Sequence, residues 1–224
     1  FKLNPNINGT HYILSAIRDY SPKTKFYFAA SSELFGNPNI SPQNENTKFN
    51  PRSAYGVSKV AGYYLTKNYR EAHNLYACSG ILYNHESIRR KVNFVSRKIT
   101  KNLSLIIKGK IKTFTLGNID SKRDWGHAKD YVYAMWKMLQ LNKPDDFVIG
   151  SGQVHSVKQF LKLAFSRVNL NYKKYIKIDK KLYRKNDKVL LRANCKKAKK
   201  ILKWKPKINF KALVHEMVDH DISK

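Results

Sequence analysis

Apolar residues recur along the chain in two rhythms, short unbroken runs and helical spacings, and the two alternate from end to end. Gly9-Thr10 lead into a helix through Ile13, Ala16 and Ile17. Residues 25–31 (Lys-Phe-Tyr-Phe-Ala-Ala-Ser) read as a strand, apolar until it ends in serines. A loop rich in Asn and Pro spans 36–51, and a helix bearing Tyr55 and Lys59 follows, to about His73. Residues 76–83 predict the next strand, ending at Asn84-His85-Glu86-Ser87. Val95, Ile99, Leu103 and Ile106 share one face of a helix that starts at Asn93. Ala128, Tyr131, Val132, Met135, Trp136 and Leu139 predict the apolar face of another. Residues 146–150 form a strand, and Ser156 is placed to cap a helix through Val157, Phe160, Leu161, Ala164, Phe165 and Val168. Buried strands alternating with amphipathic helices predict an α/β fold built on a parallel sheet, with no internal repeat or flexible linker.

At 224 residues and 42% apolar content, one packed domain or two small lobes is expected. No apolar run approaches the roughly 20 residues of a bilayer helix, so no membrane partner is expected. The first residues, Phe1-Lys-Leu-Asn-Pro-Asn, carry neither Met nor an apolar signal core, and the chain is expected to begin mid-protein. Cys78 and Cys195 lack metal-ligand spacing, which predicts no metal site and fits a reduced, cytoplasmic compartment. The net charge of +29 raises nucleic-acid binding as a reading. Against it, lysine outnumbers arginine more than threefold, and the excess is spread along the chain. Its densest part, residues 173–207, alternates basic with apolar residues as a solvated face does, so no nucleic-acid partner is expected. A positive surface still attracts an anionic nucleotide substrate.

Chemistry enters with Tyr55-Gly56-Val57-Ser58-Lys59. Tyrosine and lysine at i and i+4 lie on one helix face, close enough for an ammonium to stand beside a phenol. A phenol of pKa about 10 is a poor base at neutral pH, and lowering it by about 3 units takes roughly 4 kcal/mol. In a chain with 44 Lys+Arg and 14 Tyr this spacing also arises by chance. The segment Ser31-Ser32-Glu33 upstream changes its weight, because hydroxyls and a carboxylate fall where a strand ends. Asn84-His85 fall at the end of another, and ligands in open α/β sheets bind outside those carboxyl ends. Glu33, Tyr55 and His85 are thus directed toward one crevice. Taken singly, Glu33 reads rather as a solvated turn carboxylate and His85 as a satisfied loop histidine.

The segments Ser31-Ser-Glu-Leu-Phe-Gly36, Pro51-Arg-Ser-Ala-Tyr-Gly-Val-Ser-Lys59, Gly80-Ile-Leu-Tyr-Asn-His-Glu-Ser87, Arg123-Asp-Trp-Gly-His127, Val154-His-Ser-Val157 and Trp204-Lys-Pro206 resemble the GDP-mannose 4,6-dehydratase family. The likeness covers essentially the whole chain. It implies a partial Rossmann-like, doubly wound parallel sheet with a smaller C-terminal lobe for the nucleotide sugar. Residues 1–83 would belong to the dinucleotide-binding domain and 84–224 mostly to the lobe, with about 125–150 returning to the sheet. Carried over by position, Ser31, Glu33, Tyr55 and Lys59 are the implied catalytic residues, Ser31 standing where the family has Thr. Tyr55, Lys59, His85 and Arg90 are implied to contact NADP; Asn84, Lys98, Gly117, Arg123, Arg184 and Asp187 are implied to hold GDP-mannose, Asp187 replacing a usual Glu. The implied reaction oxidises C4 of the mannose, eliminates water across C5 and C6, and returns hydride to C6. A homo-oligomer is implied for the complete protein.

Departures accompany the likeness. The family's Ser-Pro-Arg-Arg-Gly reads Ser87-Ile-Arg-Arg-Lys91, and Lys185 stands for a Pro. The Gly-rich fingerprint that cradles a pyrophosphate is not in these residues, so the isolated chain is expected to show little or no activity. A related nucleotide-sugar epimerase or dehydratase, and a non-catalytic remnant, are the alternatives. Glu33 argues for dehydration over epimerisation.

Overall fold

The computed structural model describes residues 3–183 and 190–224. Along them run α1 (Leu3–Tyr20), β1 (Phe26–Ser31), α2 (Ala54–His73), β2 (Ala77–Leu82), β3 (Asn84–Glu86), α3 (Val95–Ile107), β4 (Phe114–Leu116) and β5 (Lys122–His127). There follow α4 (Ala128–Leu139), β6 (Phe147–Ile149), β7 (Val154–Ser156), α5 (Val157–Ser166), β8 (Ile176–Ile178), α6 (Lys196–Ile201) and α7 (Phe210–Ile222). Strands β1, β2 and β6 form a parallel sheet in that order, with Ser31 level with Leu82 and Leu82 level with Ile149. Every residue of β2 is buried, as expected of a central strand covered on both faces, which is why Ala-Cys-Ser-Gly-Ile-Leu shows no polar alternation. β3 pairs in parallel with β5 and β4 with β8, while β5 and β7 are antiparallel. The α/β fold with parallel sheets is therefore present.

Two apolar cores organise these elements. One surrounds the β1–β2–β6 sheet and includes Phe28, Ile81, Tyr131, Met138, Phe147 and Trp204. The other joins α3, α5 and α7 through Ile99, Leu103, Trp125, Phe160, Phe165 and Met217. Burying side chains of this size stabilises by about 1.5–3 kcal/mol each. Helix α2 lies directly on the sheet at Gly62, where a Cβ would fall 2.3 Å from the Phe28 ring. Among the described residues no helix is long and apolar enough to cross a membrane.

Some expectations from pattern need correction. α1 begins at Leu3, with Pro5 in its first turn where a missing N–H breaks no helical bond; it buries Thr10, Leu14 and Ile17 and leaves Ile13 outside. On α4 the buried stripe is Tyr131, Ala134 and Met138, while Val132 and Trp136 are 59% and 54% exposed. At 100° per residue these are neighbouring stripes, and only one faces the sheet. Asn84-His85-Glu86 is a strand rather than a loop end, because its backbone ladders onto Trp125, Gly126 and His127. The basic, alternating stretch 173–207 yields only β8, α6 and short 3₁₀ turns among its described residues. Arg184, Lys185 and Asp187 lie outside the described residues.

The Arg-Asp-Trp-Gly-His segment is largely a structural device. Asp124, 1% exposed, accepts N–H bonds from Ser151 (2.8 Å), Gly152 (2.9 Å) and Ala193 (3.0 Å). Trp125 fills the second core, and a Cβ at Gly126 would meet the Tyr131 ring at 2.4 Å. His127 Nδ1 accepts from Lys129 N–H and so caps α4, leaving its Nε2–H for Glu216 at 2.9 Å. Trp204 Nε1–H donates to the Asp130 carbonyl, while the Asp130 carboxylate accepts from the N–H groups of Lys207 and Ile208. Asp124→Ala is expected to cost about 2 kcal/mol or more, since the buried Ala193 N–H loses its acceptor at about 1–3 kcal/mol and the half-buried Ser151 and Gly152 N–H groups lose theirs at a smaller cost. The midpoint of urea unfolding measures it, and Asp124→Asn should recover part of the loss.

Candidate active site

The site begins where β1 runs out. Ser31 leaves the strand with extended backbone, and its Oγ accepts the Glu33 N–H at 3.3 Å, starting the 3₁₀ turn Ser32–Leu34. This turn buries Ser32 and Leu34 and leaves the Glu33 side chain exposed. After the long loop, Ser53 caps α2 by accepting the Gly56 N–H at 3.0 Å, which places Tyr55 in the first turn. Gly56 is required by close approach: a Cβ there would lie 2.7 Å from the Glu33 carbonyl oxygen. That approach brings the phenol of Tyr55 to the end of β1, where it hydrogen-bonds the Ser31 hydroxyl.

The electrostatics differ from the i, i+4 expectation. Lys59 lies one turn further along α2, with its Nζ 5.7 Å from the Tyr55 ring centroid and 5.0 Å from that of Phe28. The ammonium donates to the Ala29 carbonyl at 2.9 Å. Burial raises the Tyr55 pKa above the ordinary phenol value, with the Glu33 charge adding to the rise. The Ser31 hydrogen bond and the Arg90 guanidinium oppose it. Burial also lowers the Lys59 pKa.

A second group of side chains follows from β3. His85 is partly buried, its Nδ1 2.9 Å from the Tyr83 carbonyl and its ring 4.8 Å from that of Tyr131. Burial lowers its pKa, and Arg90 lowers it further, so the imidazole is neutral at physiological pH. Arg90 lies 3.0 Å from Glu86 and stacks 3.6 Å above the Phe94 ring. Glu86, 2% exposed, also accepts from Ser96 Oγ at 2.7 Å. Burial raises its pKa and the Arg90 charge pulls it back. Glu86 anchors Arg90, a part that pattern reading did not assign although the residue stands inside the Asn-His-Glu-Ser segment. Asn84 is half-buried on the same strand.

Of the remaining candidates, Lys98 lies on α3, Gly117 follows β4 and Arg123 lies on β5. Lys98 donates to the Thr115 carbonyl at 2.8 Å, and Gly117 runs so close to Leu182 that a Cβ would meet its carbonyl oxygen at 2.7 Å. Arg123 donates to the neighbouring Lys122 carbonyl and faces His155 across the β5–β7 pair. The structure thus unites Ser31, Glu33, Tyr55 and Lys59 at the end of β1, with Arg90 near enough to act on Tyr55 and His85 by charge. Among the described residues no group of His, Cys, Asp and Glu is arranged to hold a metal.

Comparison with known proteins bears on this geometry. The chain is 49% identical over 218 residues to GDP-mannose 4,6 dehydratase 1 of Arabidopsis thaliana, covering 96% of this chain and 60% of that protein. It is 44% identical over 233 residues to the GDP-mannose 4,6 dehydratase of Homo sapiens, covering 96% of this chain and 63% of that one. The chain spans about three fifths of the length of these curated relatives. In fold it resembles RMD from Pseudomonas aeruginosa complexed with NADPH, with a TM-score of 0.90 at 20% identity, covering 99% of this chain and 74% of that one. A dTDP-glucose 4,6-dehydratase from Bacillus anthracis in complex with NAD gives a TM-score of 0.83 at 19% identity, over 96% and 67%. The family model for GDP-mannose 4,6 dehydratase matches residues 2–217. The hydroxyl, carboxylate and phenol at the end of β1 are therefore found in a chain that belongs to the GDP-mannose 4,6-dehydratase family.

Proposed function

We propose that the protein carrying this chain is a hydro-lyase that converts GDP-mannose to GDP-4-keto-6-deoxy-mannose. The observation that carries this reading is the meeting of Ser31, Glu33 and Tyr55 at one point: a hydroxyl bonded to a phenol, with a carboxylate in electrostatic reach. Tyr55 takes the proton of the C4 hydroxyl as general base, and Ser31 holds the C4 oxygen as it becomes a carbonyl. The new ketone acidifies the C5 hydrogen, and Glu33 removes it. Glu33 or Tyr55 returns a proton to the departing C6 hydroxyl.

A nicotinamide cofactor, NADP in this reading, supplies hydride acceptance at C4 and return at C6. The residues present fit such a group. The Tyr55 phenol and the Lys59 ammonium suit ribose hydroxyls, and the anchored Arg90 guanidinium suits a phosphate. Tyr55, Lys59, His85 and Arg90 would hold it, and Asn84, Lys98, Gly117 and Arg123, with Arg184 and Asp187, would hold the GDP-sugar. The division into a dinucleotide-binding part and a sugar-nucleotide lobe, a cytoplasmic location and a homo-oligomeric state belong to the same proposal.

Incubation with GDP-mannose and NADP⁺, followed by mass spectrometry of the nucleotide-sugar pool, tests it. The expected product has lost one water and carries a C4 ketone. An epimer that keeps its C6 hydroxyl, or untouched substrate with the cofactor demonstrably bound, would overturn the assignment.

A further inference from the structure

The turn from β3 into α3, Ser87-Ile88-Arg89-Arg90-Lys91, contains neither Pro nor Gly, so its sequence does not dictate one backbone course. Two short-range bonds shape it: the Arg90 N–H donates to the Ser87 carbonyl at 3.0 Å, and the Arg89 N–H to Ser87 Oγ at 3.2 Å. Where the Arg90 guanidinium goes is decided by side chains. Its Nε lies 3.0 Å from Glu86 Oε2, and its guanidinium carbon stands 3.6 Å from the centre of the Phe94 ring. Glu86 is itself gripped. Its side chain is 3% exposed, its Oε2 accepts from Ser96 Oγ on α3 at 2.7 Å, and the Trp125 indole N–H of β5 supports the same carboxylate.

A buried carboxylate is costly unless it is paired and hydrogen-bonded, and Glu86 has both kinds of partner. The guanidinium meets it through Nε and gives one face to Phe94, which leaves the two terminal nitrogens; among the described residues no hydrogen bond takes them. An unrestrained arginine spreads its charge over many rotamers, whereas one held in this way keeps it in one place. That place matters to two groups of the site. Tyr55 is faced by the Ser31 hydroxyl and Glu33 from the turn after β1, by Lys59 on its own helix, and by Arg90. His85 is faced by the Tyr83 carbonyl, the Tyr131 ring of α4, and Arg90. Arg90 is the cation common to both, and its charge lowers the pKa of each.

We propose that Glu86 is a positioning residue of this site: held by Ser96 and Trp125, it fixes Arg90 so that one guanidinium charge serves both Tyr55 and His85. This role rests on the reading of Tyr55 as the base, but its test needs neither substrate nor cofactor, so its failure would leave the product analysis to decide that reading. His85 is titrated by proton NMR of its imidazole, and Tyr55 by fluorine NMR of fluorotyrosine-labelled protein. Loss of one resonance in His85→Gln and in Tyr55→Phe assigns them. Glu86→Gln keeps the size of the side chain and an oxygen for Ser96, but removes the charge that holds Arg90. Losing a carboxylate by itself would lower both pKa values, because a negative charge favours imidazolium and opposes phenolate. Releasing Arg90 raises both, and a rise in both is the expected result. Arg90→Gln is expected to raise both as well, and adding Glu86→Gln to it to raise neither further, since no guanidinium is left to position. A fall in the two values on Glu86→Gln, no change, or a further rise in the double variant would overturn the proposal. Should thermal melting show that Glu86→Gln does not fold, Phe94→Ala removes the stacking face from a ring that is 42% exposed. It is expected to raise both values by a smaller amount, and no rise there would overturn the proposal equally.

Discussion

Replacement of Tyr55 by Phe is expected to slow the conversion of GDP-mannose by about 10²–10⁴-fold, the usual loss when a general base is removed. Binding of GDP-mannose should change far less, because the substitution deletes one oxygen and keeps the ring. The pH dependence carries more information than the rate. Burial holds the Tyr55 phenol above its ordinary pKa, so the phenolate is scarce at neutral pH and turnover should rise toward alkaline pH. The hydrogen bond from Ser31 favours the phenolate. Ser31→Ala removes that bond, so the rising limb of the profile should move to higher pH as well as fall in height. Near-normal turnover in Tyr55→Phe would show that the base is some other group.

Much of this site was legible before any coordinates. Strand ends could be read because 25–31 turns from apolar to serine, and the helix expected after the loop carries Tyr55 and Lys59 on one face. Periodicity could not show that Lys59 reaches the Ala29 carbonyl, since that contact joins α2 to a strand 30 residues earlier. Nor could it separate the two apolar stripes of α4, where Tyr131 and Val132 satisfy the same spacing but only Tyr131 meets the sheet. The buried carboxylates Glu86, Asp124 and Asp130 were hidden for a related reason. Their partners are Arg90 and Ser96 for Glu86, a loop and a segment far along the chain for Asp124, and the stretch before α7 for Asp130. Only the folded chain reveals that Glu86 holds Arg90 while Asp124 and Asp130 tie distant segments together.

In the proposed reaction, Glu33 decides between elimination and simple oxidation. It is exposed at the end of β1, its backbone fixed by Ser31 and by the close passage of Gly56, so its carboxylate can reach a sugar lying against Tyr55. If it removes the C5 proton, Glu33→Gln should lower formation of the dehydrated product by about 10²-fold or more, because an amide cannot accept that proton. GDP-mannose should still bind, since shape and volume are kept. In deuterated water the unsubstituted enzyme should place solvent deuterium at C5 of the product, and deuterium supplied at C4 of the substrate should reappear at C6. Product from Glu33→Gln should be scarce, while any that forms should still carry the C4 label at C6, because the steps that depend on Tyr55 remain intact. Absence of solvent deuterium at C5 in the unsubstituted reaction would remove the C5 proton from the mechanism, and the base role of Glu33 with it. An inverted C4 centre with the C6 hydroxyl retained would mean that the ketone forms and is reduced again before Glu33 acts, the behaviour of an epimerase on the same residues.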